Sequence, residues 1–209
     1  MLLKKILIFL CSISILAVSL GCTITTSRKY KKQRKTFKQY EENKTGTIHL
    51  DKYKGEVNYG KSDDWKPVTS ELNFSDESYV KTSTDSYLEL KMPYDNYIKL
   101  FSNTNLNLGT SLINLLDGEL NTAISTEGKE KLLIRISKIN IIGRSGVFKV
   151  IYNKESDKGE IVVKNGSVEV IEDNQEQKTV LLSGFYKVTF ENDKLSNPTQ
   201  AKVTDYNWR

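Results

Sequence analysis

The side chains able to do chemistry are few and scattered. His49 is the single histidine of this 209-residue chain, and its two cysteines, Cys11 and Cys22, both fall near the N-terminus. Ser-His and Cys-His nucleophile pairs therefore lack a base among the later residues, and no His/Cys cluster has the spacing of a zinc or iron site. The tightest carboxylate pairs are Asp63-Asp64 and Asp76-Glu77. Each sits where a turn is expected, and turns favour Asp for its hydrogen bonds to nearby backbone. Calcium-loop and phosphate-loop patterns do not occur. The residues point away from an enzyme and require no cofactor or metal.

What remains is modification and recognition. Cys22 directly follows Gly21 at the end of an apolar run, Ile6 to Leu20, which is preceded by Lys4-Lys5. A charged start, an apolar middle and a small residue before the cut predict a secretory signal peptide over 1–21. Recognition would fall to aromatic side chains. Tyr53, Tyr59, Trp65, Tyr79, Tyr87, Tyr94 and Tyr97 crowd the first half of the body. Tyr94, Tyr97 and Trp65 are the candidate binding residues, because aromatic anchors often dominate contact faces. Tyrosine is also a good strand former, so lining a strand face explains the set equally well. Trp65, beside Pro67-Val68, reads better as a plug of the core than as a binding platform.

The elements that must position these residues are strands. From Gly46 onward, short runs of alternating apolar and polar residues recur about every ten residues between turn signals, the pattern of an all-β fold. Ser86 to Met92 puts Tyr87 on one face and Leu88, Leu90 and Met92 on the other. Pro93-Tyr94-Asp95-Asn96 is a turn, followed by a strand from Tyr97 to Phe101. Leu112 to Leu116, after a possible cap at Ser111, is the one run that passes for a helical turn. Further on, three runs are each opened by a glycine: Val147 to Tyr152, Ile161 to Val163, and Val168 to Ile171. Asn165-Gly166 between the last two predicts a type I′ hairpin turn. Gly118, Gly159, Gly166 and Gly184 are expected where turns need positive φ. Period-two runs do not say which strands pair, so a β-sandwich and a β-roll or solenoid-like domain both stand.

Charge divides the chain differently. Between Arg28 and Lys44 lie eight of the 31 basic residues, against only Glu41 and Glu42. The pI of about 9.0 is thus a property of the N-terminal region, and the slightly acidic remainder offers no basic face for nucleic acid. Residues 22–45 read as a solvated basic tether, in which each Lys or Arg close to anionic lipid adds about 1 kcal/mol of attraction. Residues 46–195 form the β domain. Residues 196–209, with Pro198 and no alternation, read as a C-terminal tail that Trp208 docks back on the body.

Two resemblances follow from these residues. Gly21-Cys22 at the end of the apolar run resembles the lipobox of bacterial lipoproteins, although Ser19 stands where that motif usually has Leu. It implies cleavage between Gly21 and Cys22 and attachment of membrane lipid to Cys22. The competing reading is an uncleaved anchor, since the run extended to Gly21 approaches the roughly 17-residue lower limit of a spanning helix. Thr23 takes the place of the Asp that retains enteric lipoproteins at the inner membrane, so the resemblance implies the outer membrane or the periplasmic face.

The second resemblance runs from Gly55 to Val188. It is carried by Gly55-x-Val57, Trp65-x-Pro67-Val68, Leu72, Val80-x-Thr82 and Ser86-Tyr87-Leu88-Glu89-Leu90. It continues with Ile98-x-Leu100, Asn103-Thr104-x-Leu106-x-Leu108, Leu115, Gly118-x-Leu120 and Phe148-x-Val150. Gly159-x-Ile161-x-Val163-x-x-Gly166-Ser167-Val168-Glu169-Val170 follows, and Leu182 and Gly184 complete the set. The order resembles a FecR-type domain, the periplasmic β domain of bacterial signal-transducing regulators. Arg144-Ser145-Gly146 replaces the family's usual Arg-Gly-Thr, and Pro93-Tyr94-Asp95-Asn96 its usual Asp-Gly turn. The resemblance implies a non-catalytic binding or signalling adaptor in the cell envelope, with a protein or glycan partner. The alternative is a structural or surface-exposed lipoprotein that binds glycan or host matrix. With only Met1 to Lys5 before the apolar run, no sigma factor is expected as a partner.

Overall fold

The computed structural model describes residues 46–61, 64–70, 72–75, 77–110, 112–125, 131–173 and 178–206. The signal segment with Gly21, Cys22 and the tether lie outside the described residues, as do Asp63, Asp76, Ser111 and Trp208. No helix among the described residues is long and apolar enough to cross a membrane.

The described chain is all-β. Its strands are β1 (Ile48–Lys54), β2 (Val57–Lys61), β3 (Asp64–Pro67), β4 (Asn73–Phe74), β5 (Ser78–Thr82), β6 (Tyr87–Met92), β7 (Asn96–Leu100) and β8 (Asn105–Leu108). They continue as β9 (Leu112–Ile124), β10 (Leu132–Ile136), β11 (Ile139–Asn153), β12 (Lys158–Glu172), β13 (Thr179–Ser183), β14 (Tyr186–Glu191), β15 (Lys194–Leu195) and β16 (Thr199–Gln200). Alternation works as it should in a half-buried strand. In β6, Leu88, Leu90 and Met92 are buried while Tyr87, Glu89 and Lys91 face outward, half-buried.

All strands belong to one open mixed sheet, folded over so that it makes two layers. The first layer runs β4-β1-β6-β7 to the second half of β9, then through the second half of β11 and the first half of β12 to β14. The second layer runs β3-β2-β5-β8 to the first half of β9, then through β10, the first half of β11 and the second half of β12 to β13. One core lies between the layers, with Leu88, Leu90, Ile98 and Leu100 from the first meeting Val57, Val80, Leu106 and Leu108 from the second. A smaller buried cluster of Leu133, Ile142 and Ile171, with Leu112 packed against it, occupies the outer face of the second layer.

Three long strands belong to both layers, and this corrects the reading of glycine-opened runs. Asn165-Gly166 is not a hairpin turn; it lies inside the unbroken strand β12, where Gly166 pairs with Gly146 and Asn165 with Val147 of β11. Both glycines have positive φ, +93° and +82°. A Cβ on Gly166 would sit 2.1 Å from the Ser145 carbonyl oxygen, so only glycine lets the two backbones bend together. The Asn165 side chain accepts the Val147 N–H at 2.7 Å. Leu112 to Leu116 is likewise not a helical turn but the start of β9, which bends at Gly118 (φ +102°). There the Thr104 hydroxyl donates to the Glu119 carbonyl and accepts its N–H, each at 3.0 Å. Gly159 and Gly184 do not have positive φ. Gly159 is required instead by close packing, since a Cβ would meet the Phe190 ring at 2.1 Å.

The segment after Leu195 is laid back on the body. Thr199 and Gln200 pair with Lys187 and Tyr186 of β14. A short 3-10 turn, Val203–Tyr206, follows, and Asp205 forms an ion pair with Lys187 at 3.0 Å. The Lys202 N–H, then Lys187, hold the Asp205 carboxyl below its usual range, and hydrogen bonds with Glu160 and Asp205 raise Lys187.

Candidate functional site

The candidate site grows from the turn between β6 and β7. Tyr94 and Asp95 both adopt left-handed backbone, with φ of 63° and 55°. Such a turn normally takes Asn-Gly, because a bulky side chain with positive φ is strained. The Asn96 N–H donates to the Pro93 carbonyl, and Lys91 bridges to Asp95 at 3.0 Å, which closes the turn from both sides. The hydrogen bond with Asp95 is also what raises the Lys91 pKa. The outcome is a Tyr94 side chain carried on the turn tip, 47% exposed.

Two concavities lie at this turn and on the strand face that follows it. The larger, about 430 Å³, is lined by Thr47, His49, Lys91, Pro93, Tyr94 and Asp95. His49 Nδ1 lies 2.6 Å from the Asn73 side-chain oxygen. The smaller, about 160 Å³, lies beside Tyr97 and is lined by Asp51, Glu89, Lys99, Asn121, Ala123 and Val147. Lys91 lines the larger one and has its ammonium 5.9 Å from the ring centre of Tyr97, which lines the smaller. Residues distant in sequence meet here because β7 pairs Tyr97 with Ala123 of β9, and β11 pairs Val147 with the same Ala123.

The wider outer face of the first layer continues this chemistry. Lys99 lies 2.9 Å from Glu89, with its ammonium 4.6 Å from the Tyr87 ring centre and 5.5 Å from that of Phe101. Each of Lys91 and Lys99 thus has both a carboxylate and an aromatic ring as partners, an arrangement that fixes long side chains in place. Such a surface can hold a ligand by ring contact and directed hydrogen bonds. Among the described residues no group of three His, Cys, Asp or Glu could hold a metal ion.

Of the three candidate binding residues, the structure places Tyr94 in the larger concavity and Tyr97 in the smaller, and leaves Trp65 elsewhere. Trp65 is not a core plug. It lies half-buried on β3, opposite Gly60, at the edge of the second layer, with the Lys81 ammonium 3.9 Å from its ring centre. The core position near it is taken by Tyr59, which meets Phe74 edge-on at 5.8 Å. Asn121 and Val147 were not singled out by sequence, because only non-local strand pairing brings them beside Tyr97. Tyr152, pushed up to about 12 by burial and by its hydrogen bond to Asp157, is at the far end of β11 and packs on Phe190.

No family profile matches the chain, and no curated protein matches it. Two crystal structures are similar, each of a protein named "putative anti-sigma factor" from Parabacteroides distasonis ATCC 8503, at 2.50 and 1.65 Å resolution. Both give a TM-score of 0.52, with 14% and 13% identity, over 60% of this chain. The match spans 61% of the length of those proteins. At this identity the likeness is one of fold: a bent, two-layered β domain of this kind occurs in a protein of known structure.

Proposed function

We propose that the chain is a lipid-anchored protein of the cell envelope whose FecR-like β domain acts as a non-catalytic binding or signalling adaptor. Cys22 carries the anchor, and the groove at Tyr94 and Tyr97 receives a protein or glycan partner. The observation that carries the reading is Tyr94. A bulky side chain held with positive φ costs about 1–2 kcal/mol relative to ordinary backbone, and here that strain presents an aromatic ring to solvent rather than to the core. Strain of this kind often gathers at functional sites; Phe185, the other aromatic residue with positive φ among the described residues, packs edge-on against the Tyr206 ring instead. The fold neighbours' name, an anti-sigma factor, agrees with a signalling role.

The groove is tested by crosslinking in producing cells, with a photo-reactive phenylalanine in place of Tyr94 and, separately, of Lys164. A discrete adduct from position 94 that position 164 does not give is the expected result. Identical patterns from both positions would remove the groove from the reading. The anchor is tested by Cys22→Ser, which should leave an uncleaved precursor or release the protein from membranes. Fatty-acid label that still marks the serine variant would rule out Cys22 as the anchor.

A further inference from the structure

We infer that the smaller lobe, beside Tyr97, is a subsite for one neutral pyranose ring at the end of a glycan chain. The inference rests on the binding role proposed above and names the ligand of one part of the groove.

Size is the first constraint. Sites for drug-sized ligands run from roughly 300 to 1,000 Å³, and this lobe encloses about 160 Å³. It has room for a single ring and none for a polymer lying along it. Shape and polarity are the second. Tyr97, 42% exposed, forms one wall, and Ala123 and Val147 provide apolar surface next to it. An aromatic face beside small aliphatic groups suits the C–H face of a sugar, which is apolar while its edges are hydroxylated.

The rim is the third. Lys99 is already paired with Glu89 at 2.9 Å, and Asp51 lies in the same lining. The lobe therefore offers fixed donors and acceptors with more carboxylate than ammonium charge. An anion would meet Asp51 and Glu89 and be repelled, whereas hydroxyl groups can donate to both. The fourth is Asn121. Its side-chain oxygen is buried and accepts no hydrogen bond. An unanswered buried acceptor is uncommon enough to need an explanation. An apolar peptide side chain would leave it unanswered, and a ring hydroxyl would donate to it after a small rotation of the amide.

The test uses the mature chain with Cys22→Ser, isotope-labelled for amide NMR. It is titrated into the high millimolar range with the methyl glycosides of glucose, galactose, mannose and N-acetylglucosamine, and with sodium acetate as an anionic probe. At least one glycoside should shift the amides of Ala123 and Val147, and acetate should not. Tyr97→Ala should weaken that glycoside about tenfold, the scale of one lost ring contact in a small ligand. Asn121→Leu should abolish the response while the thermal midpoint stays level or rises, because a buried unpaired acceptor has been removed. A midpoint that falls in Asn121→Leu would mark the amide as structural and overturn its role. Silence from all four glycosides, a response that survives both substitutions, or a shift given by acetate alone would overturn the subsite. Should crosslinking at position 94 succeed while every glycoside is silent, this inference fails and the adaptor reading stands.

Discussion

The outer faces of the two layers are built partly from the same strands, yet one cluster on the second and two tyrosines on the first treat apolar surface in opposite ways, while Leu181 beside that cluster stays 44% exposed. On the second layer Leu133, Ile142 and Ile171 point away from the main core and are still almost wholly hidden, 0%, 1% and 3% exposed. On the first layer Tyr94 and Tyr97 stay 47% and 42% exposed, among lysines paired with carboxylates. Buried apolar side chains are explained by the stability they add, at about 25 cal/mol per Å² removed from water. Exposed rings beside concavities are not, which is why the recognition proposed above is assigned to the first layer.

The sharpest way to break the comparison is Ile142→Ala. Removing a buried aliphatic side chain should cost about 2–4 kcal/mol, whereas Tyr97→Ala at an exposed position should stay within about 0.5 kcal/mol. Chemical denaturation of both variants measures the gap, and equal losses would erase the distinction between the faces. Gly166→Ala addresses the bend that both faces share. With a Cβ forced to within 2.1 Å of the Ser145 oxygen at φ +82°, the loss should be about 2 kcal/mol. An unchanged denaturation midpoint would mean that the bend tolerates a side chain.

Asp205→Asn, on the chain end laid against the first layer, should cost about 1–2 kcal/mol through its weakened bonds to the Lys202 N–H and Lys187. The sign with pH follows from the lowered Asp205 pKa. Its contribution is complete above the ordinary carboxylate value of about 4 and is lost as pH falls through the lower folded value. The wild type and the variant should therefore converge in stability only in strong acid; a gap that closes between neutrality and pH 5 would contradict the assignment. The smallest effect is expected for Tyr94→Gly. Relief of about 1–2 kcal/mol of left-handed strain is offset by about 0.5–1 kcal/mol of added chain entropy. Stability should hold or rise slightly, and a clear loss would show that the Tyr94 ring is there for packing.

Much of the fold was legible in the sequence where strands are straight. Ser86 to Met92 and the turn at Pro93 stand where alternation placed them, as β6 and the β6–β7 turn. Legibility fails at the bends, for a definite reason. Before its bend β11 sends Ile139 and Ile141 inward, and after it Phe148, Val150 and Tyr152; β12 changes from Ile161 and Val163 to Val168 and Val170. In both strands the inward positions change from odd to even, because extra residues are accommodated where the register shifts. Alternation read along the chain therefore stops at each glycine, and one strand looks like two with a turn between them. The candidate site was legible only as far as Tyr94 and Tyr97, one on the β6–β7 turn and the other on the strand that leaves it. Asn121 and Val147 come from strands whose partners lie far along the chain, and Trp65 was misplaced because it stands beside Pro67-Val68, of which only Val68 enters the core, while the half-buried Trp65 ring meets the Lys81 ammonium. The final segment read as a tail because two bridge residues and one ion pair leave no periodic signal.

The strands shared by both layers also govern how the domain can come apart. β9, β11 and β12 each run through both layers, so peeling either layer tears the same three strands out of the other. A half-open intermediate has no low-energy boundary along which to form. Slowly exchanging amides on either layer should then report one common opening energy, that of global unfolding, with separate local openings confined to edge strands such as β3 and β16.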